Sequence, residues 1–283
     1  MTEQKFICYT LDLEHDYAGL SPTEEYETFS HPKSLERLLE IVWRHKLKIT
    51  VFVTGKVLDQ RRDIVAFFQE IGAEIELHGY QHIMYQPDCA LEVKRGVEAY
   101  QKYFGKRPTG YRSPGGVIKP VLMEALAKQG IQYDSSLIPS FRWRVYKNLK
   151  SSIKPFHDPE SGLFELPIGV VPRVRIPIAA SYIRLLGFSV YRLLFALFGT
   201  PTPLVYLFHL VDLIPTEMRK ELPVFWRMIY AKGQKKGFEV FEATVIYFEK
   251  LGYRSEFMSS LYKRYTPCPE GRITAKQSIK AES

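Results

Sequence analysis

Cysteine is scarce: Cys8, Cys89 and Cys268 are the whole complement. An odd, scattered set of three excludes a disulfide framework and a four-cysteine zinc site, and it suits a reducing compartment. A cytoplasmic location, with membrane-peripheral placement as its variant, is the expectation. No basic-then-apolar leader opens the chain, which begins MTEQKFICYTLDLE, so a secretory signal is not expected. Long apolar runs are missing as well. The longest uncharged stretch, Leu193 to Val211, is broken by Gly199, Pro201 and Pro203, against a simple transmembrane helix. There is no internal repeat, no low-complexity block and no linker. No basic run alternates with stacking aromatics, so no nucleic-acid partner is expected.

What is present is the balance of a globular protein: 283 residues, 46% hydrophobic and 25% charged. Basic residues outnumber acidic ones, 39 to 31. That excess fits an anionic membrane surface or an acidic substrate. Short apolar runs alternate with amphipathic stretches. Strands are predicted at Phe6–Leu13, Ile49–Val53, Glu74–Leu77, Gly110–Arg112, Ile131–Tyr133, Leu163–Pro167, Leu204–Leu210 and Tyr253–Phe257. Helices are predicted at Ser34–His45, Val57–Ile71, Leu91–Phe104, Pro120–Lys128 and Phe238–Leu251. Strands alternating with helices argue for parallel βαβ units. The expectation is an α/β chain forming a distorted (β/α) barrel, with an open doubly wound sheet as its rival. One domain over residues 1–266 is expected, followed by a disordered tail over 267–283.

Five short motifs could carry chemistry. In TLDLEHDY, Asp12, Glu14 and Asp16 alternate along an extended chain and so share one face at a strand's C-terminal end. In a βα barrel that end forms the mouth of the active site. In HGYQH, His78 and His82 stand four apart, which on a helical turn puts both imidazoles on one face. With a carboxylate from another strand end they would make a two-His, one-carboxylate metal site with open positions. In YRSPGG, Arg112 could ion-pair with a buried carboxylate or simply precede a turn. Asp134 in YDSS could cap the next segment. His209 in LVYLFHLVD faces either the mouth or the core.

Taken together these motifs resemble the polysaccharide deacetylase family (carbohydrate esterase family 4, the NodB-homology domain), over roughly residues 5 to 265. Arg112, Pro114 and Gly116 match its Arg-x-Pro-x-Gly, His78 and His82 its His-x-x-x-His, and Leu207 and His209 its Leu-x-His. The resemblance implies a NodB-type barrel and a hydrolase acting on linear amide bonds. The substrate would be an N-acetylated or similarly N-acylated sugar in a glycan, polysaccharide or lipid-linked saccharide. Asp12 would be the general base, and Glu14, His78 and His82 would hold zinc or another divalent metal. Arg112 would hold Asp12, and His209 would be the general acid, oriented by Asp134. Leu207 would line the acyl pocket, with Tyr111, Pro114 and Gly115 beside the substrate. The chain departs from the usual pattern in three places. Asp12-x-Glu14 replaces two adjacent aspartates, so that Asp16 competes with Glu14 as ligand. Gly79 stands where Ser or Thr is common, and the tryptophan usual after the Asp134 motif is missing at its place. Two other functions stay open: an amidase on a small non-sugar amide or cyclic imide, and a catalytically silent carbohydrate-binding protein.

Ser181 to Phe198 reads as one helical stretch with Leu186, Val190, Leu193 and Leu197 along one face, and only Arg184 and Arg192 charged. A buried barrel helix is the favoured reading. The alternative is an interfacial helix making peripheral membrane contact.

Overall fold

The computed structural model describes residues 4–15, 27–83, 88–143, 145–217 and 232–266, and 222, 224, 227 and 228 besides. Asp16 and the 267–283 segment lie outside the described residues. The strands are β1 (Lys5–Leu13), β2 (Ile49–Val53), β3 (Glu74–Leu77), β4 (Gly110–Tyr111), β5 (Tyr133–Asp134), β6 (Phe141–Arg142), β7 (Tyr146–Lys147), β8 (Phe156–His157), β9 (Phe164–Glu165), β10 (Leu204–His209) and β11 (Tyr253–Ser255). Helices α1 (Pro32–Arg44), α2 (Gly55–Gln60), α3 (Arg62–Glu70), α4 (Cys89–Phe104) and α5 (Pro120–Lys128) come from the first half. Helices α6 (Ala180–Leu186), α7 (Phe188–Phe198), α8 (Leu210–Leu213), α9 (Gly237–Lys250) and α10 (Met258–Tyr265) come from the second.

One sheet runs β10-β1-β2-β3-β4-β5-β9-β8, with β11 also pairing β1. Every pairing in it is parallel except β8 with β9. The gap between β9 and β10 is bridged by irregular backbone. Gly169 N–H donates to the Val205 carbonyl at 2.8 Å, and Ala179 pairs with Leu207 as an isolated parallel bridge. The sheet therefore curls into the distorted barrel that the βαβ alternation predicted, and the open-sheet rival is set aside. Its irregularity has a plain cause: β4, β5 and β9 are two residues long, and the chain between β5 and β10 supplies loops in place of regular βα units.

Pleat alternation sorts the rows into inside and outside. Leu13, Val53, Leu77, Tyr111, Asp134 and Glu165 lie across one register row and face the helices. The lumen is filled by a second cluster of Cys8, Phe52, Tyr133, Phe164, Leu166 and Val205 with Met258 and Leu261 of α10. The Tyr262 ring stacks on Tyr133 at 5.6 Å, so α10 plugs the lower end. Gly110 is required there, since a Cβ would stand 2.1 Å from the Tyr133 ring.

Two helical expectations change. The stretch Val57–Ile71 is two helices, α2 and α3, because Arg61 leaves helical geometry (φ −131°, ψ 60°). The stretch Ser181–Phe198 is likewise two, α6 and α7, broken at Gly187 and bent by 104°. The core face of α7 is Tyr191 and Phe195; Phe195 packs on Tyr247 and Phe248 of α9, and the Tyr191 hydroxyl donates to the Pro177 carbonyl. Leu186, Val190, Leu193 and Leu197, the face expected to be buried, are exposed. Large aromatic rings fill the contact with α9 and so set the helix's rotation.

Candidate active site

Successive strands of the barrel deliver the polar groups to one end. Asp12 lies directly beside His209 in the β1–β10 register. The ladder runs one residue past each short strand: His78 N–H donates to the Val53 carbonyl, Arg112 N–H to Leu77, and Ser135 N–H to Tyr111. His78, Arg112 and Ser135 thus occupy the inward row next to Asp12. That is the C-terminal end of the parallel strands, where βα barrels place their chemistry.

Asp12, Glu14, His78, His82 and Arg112 are all buried. Arg112 is held from every side. Its Nη1 donates to Asp12 Oδ1 at 2.7 Å and to Thr10 Oγ1 at 2.9 Å, its Nε to the Ser135 carbonyl, and its Nη2 to Ser135 Oγ. The guanidinium also lies over the Phe52 ring, 4.1 Å from its centroid. Such a buried cation is tolerable only when paired and hydrogen-bonded. The pairing uses Oδ1 of Asp12 and leaves Oδ2 toward the pocket, 3.7 Å from His78 Nε2 and 3.9 Å from His209 Nε2.

Glu14, His78 and His82 converge with one potential ligand atom each, all within 4.8 Å of one another. Glu14 Oε2 is 2.6 Å from His82 Nε2 and 3.8 Å from His78 Nε2. The His78 Nδ1–H donates to the Arg112 carbonyl at 2.8 Å. That bond fixes the tautomer and aims an Nε2 lone pair at the carboxylates. His78 Nε2 is buried with no hydrogen-bond partner, which suits a lone pair that ligates a metal. Two imidazoles and a carboxylate are a donor set that zinc accepts, so these residues fit a divalent ion. Burial alone would raise the Glu14 carboxyl, but the charges of His82 and His209, with the hydrogen bond from His82, hold it well below the usual carboxylate range. The histidines do not sit on a helical turn as their spacing suggested. They lie in a loop in which Gly79 (φ 71°) and His82 (φ 59°) are left-handed. Glycine at 79 suits that backbone where a β-branched residue would be strained.

His209 stands opposite this cluster, its Nε2 3.9 Å from Glu14 Oε1. Its partner is Asp212, whose Oδ2 is 3.3 Å from Nδ1 and accepts from the His209 N–H at 3.0 Å. Asp212 is in turn 3.4 Å from the buried Arg184. Burial would lower the imidazole, but Glu14, Asp212 and Asp12 outweigh it and push His209 up to about 9. A cavity of about 110 Å³ opens over these groups, lined further by Gly115, Gly116, Arg142, Tyr146, Tyr182 and Leu207. A larger cavity, about 260 Å³ between Met123, Leu137, Phe156 and Glu165, holds neither histidine nor arginine.

The structure corrects three expectations. Asp134 does not orient His209. It lies in the outward row with Tyr111, accepts from Ser136 Oγ at 2.6 Å and shares a hydrogen bond with Glu165. The pleat turns Ser135, its neighbour, inward to Arg112. Tyr111 and Pro114 line a small recess with Cys89 and Glu92 of α4, away from the central cavity; Tyr111 precedes the inward-facing Arg112 and so points out. Gly115 and Leu207 line the cavity. Sequence reasoning missed Asp212, although its place three residues after His209 is capping-box spacing at the start of α8. It also missed Thr10 and Ser135, ordinary hydroxyl residues whose role follows only from where Arg112 ends.

Residues 22–133, less than half of the chain, match the polysaccharide deacetylase family model. No curated protein sequence matches. Solved structures share the fold at low identity. A Pseudomonas aeruginosa PAO1 protein assigned as a polysaccharide deacetylase is 15% identical with a TM-score of 0.61, covering 93% of this chain and 91% of its own. Puue allantoinase is 14% identical with a TM-score of 0.62, covering 94% and 92%. A Bacillus anthracis pseudoenzyme of carbohydrate esterase family 4 is 11% identical with a TM-score of 0.54, covering 93% and 66%. By that partial sequence match and by its fold, the chain is similar to polysaccharide deacetylases.

Proposed function

We propose that the chain is a metal-dependent deacetylase that removes an N-acetyl or similar N-acyl group from an amino sugar of a glycan. The observation that carries this reading is the convergence of Glu14, His78 and His82 in one buried cluster, with Asp12 and His209 on either side of it. A silent binding protein has no need to bury this set together. Zinc, or another divalent ion held by Glu14, His78 and His82, would supply Lewis acidity that polarises the amide carbonyl and acidifies water.

The chain's own groups divide the proton work. Asp12 Oδ2 takes the proton of the attacking water as general base, its other oxygen being held by Arg112. A backbone amide of the 111–116 segment, whose Gly115 and Gly116 line the cavity, donates to the oxyanion that forms. Protonated His209 gives its Nε2 proton to the leaving amine, held in orientation by Asp212. The products are a small carboxylic acid and a free amino sugar. Leu207 borders the cavity as a wall for the acyl group.

Amine release from chitin-type and peptidoglycan-type oligosaccharides, set beside small amides and cyclic imides, tests this. Release from an N-acetylated saccharide that stops with chelator is the expected result. Turnover confined to the small amides or imides would replace the sugar with a small substrate, and no turnover on any amide with metal present would sink the hydrolase reading.

A further inference from the structure

Helix α4 carries a carboxylate on its buried face. Glu92 is 7% exposed and shares that face with Cys89, Val93, Gly96, Val97 and Tyr100. Burying a carboxylate is costly unless its oxygens are hydrogen-bonded. The donors to Glu92 come from another segment of the chain. Its Oε1 accepts from the Tyr80 N–H at 2.9 Å and from the Gln81 N–H at 2.5 Å. Both lie between His78 and His82.

The two histidines are placed by different means. His78 is fixed by the sheet: its N–H donates to the Val53 carbonyl and its Nδ1–H to the Arg112 carbonyl. His82 stands in neither strand nor helix. Its φ of 59° is left-handed, a conformation that a residue with a side chain keeps only where the surroundings hold it. The surroundings act on the loop from two sides. Gly55 and Lys56, the first residues of α2, donate their N–H groups to the Gly79 and Tyr80 carbonyls at 2.9 and 3.0 Å. The peptide units 79–80 and 80–81 are thus each held at both ends, the oxygen by α2 and the hydrogen by Glu92. The Tyr80 side chain spans the same two helices. Its hydroxyl donates to Asp59 of α2 at 3.2 Å, and Arg95 of α4 lies over its ring, 4.0 Å from the centroid. Small residues let the helices come this close: a Cβ at Gly55 would strike the Tyr80 ring, and one at Gly96 would stand 3.1 Å from the Gly79 carbonyl oxygen.

We propose that Glu92 is a positioning residue of the metal centre. By locking the two peptide units between the histidines, it sets His82 against Glu14 and His78 and so sets the affinity for the ion. The proposal rests on the metal-dependent reading above. Glu14 Oε2 is 2.6 Å from His82 Nε2, and the two imidazole centroids are 5.0 Å apart. Those spacings follow from the path of residues 79–81, which Glu92 and α2 fix. Glu92 lines the recess with Cys89 and Tyr111, not the central cavity. It therefore acts through the loop backbone and not as a ligand. Groups that orient metal ligands typically change metal affinity by about 10- to 100-fold when removed.

The test is the zinc affinity of the full chain, stripped of metal and titrated in competition with a chromophoric chelator. Wild type is set beside Glu92→Ala, Glu92→Asp and Glu92→Gln, with His78→Ala as the ligand control. Alanine removes the acceptor, aspartate keeps the charge but draws the oxygen back by one methylene, and glutamine keeps an oxygen at the same reach. Glu92→Ala and Glu92→Asp should bind zinc roughly 10- to 100-fold more weakly, and Glu92→Gln close to wild type. The rise in melting temperature that zinc produces should shrink in the same two variants. A merely structural role would lower the melting temperature of the metal-free form and leave that rise unchanged. Wild-type affinity in Glu92→Ala and Glu92→Asp overturns the proposal. So does a Glu92→Gln variant as weak as Glu92→Ala, since its amide oxygen can still accept both N–H groups. If Glu92→Ala does not fold, Glu92→Asp against Glu92→Gln decides. Zinc that binds wild type but not His78→Ala upholds the metal reading whichever way the Glu92 variants fall, whereas a wild type that binds no zinc overturns both.

Discussion

Asp12 and His209 sit side by side in the β1–β10 register and do opposite proton work. Asp12→Asn should keep the metal yet lose turnover, since the three ligating side chains are untouched; metal content and kcat measured on one preparation check both halves. His209→Ala should cut kcat by roughly 10²- to 10⁴-fold. The two aspartates can be told apart in the same way. Asp212→Ala should lower kcat, because the hydrogen bond that holds the imidazole is gone, whereas Asp134→Asn should leave kcat near wild type. An Asp134→Asn variant as slow as Asp212→Ala would restore the orienting role to Asp134. Much at this scale was legible beforehand. Asp12, Glu14, His78, His82, Arg112 and His209 carry unusual chemistry at strand ends, and the structure brings them together. Asp212 and Ser135 were not legible, because a short polar residue acquires its role from the neighbour it happens to meet.

At the scale of elements, the two-residue strands work only because their side chains interlock. Gly110 lets the Tyr133 ring cross β4, so Gly110→Ala should lower stability by about 1–3 kcal/mol or more, read from the melting curve. Glu76 in the inward row accepts from the Thr109 and Gly110 amides. Burial, then the charge of Glu74, pushes its carboxyl up to about 8 from an ordinary value of 4.5. Between those values the folded chain keeps a proton that the unfolded chain has lost. The group's contribution to stability therefore falls as pH rises through that window and levels off above it. Glu76→Gln should remove the slope, melting higher relative to wild type at pH 8 than at pH 5. An unchanged difference between the two pH values would show that Glu76 titrates normally. Element types followed from periodicity, but the breaks at Arg61 and Gly187 did not. A helical apolar pattern runs across a kink undisturbed, and α7 shows the consequence. Its leucine stripe had the spacing of a core face, yet the larger rings of Tyr191 and Phe195 took the core.

For the molecule as a whole, the barrel is a frame that brings five strand ends to one mouth. The βαβ alternation showed the frame, but not the way it closes. Closure depends on the Gly169–Val205 hydrogen bond and the Ala179–Leu207 bridge, single long-range contacts with no periodic signature. Fold likeness extends both to an allantoinase and to a pseudoenzyme, so activity must be argued from the cluster at the mouth. The most direct measurement is metal per chain, by elemental analysis of protein purified without chelator, with His78→Ala beside it. The account predicts about one zinc-like ion per chain, lost in the variant. No metal in wild type even after zinc is added, or an unchanged content in His78→Ala, would contradict it.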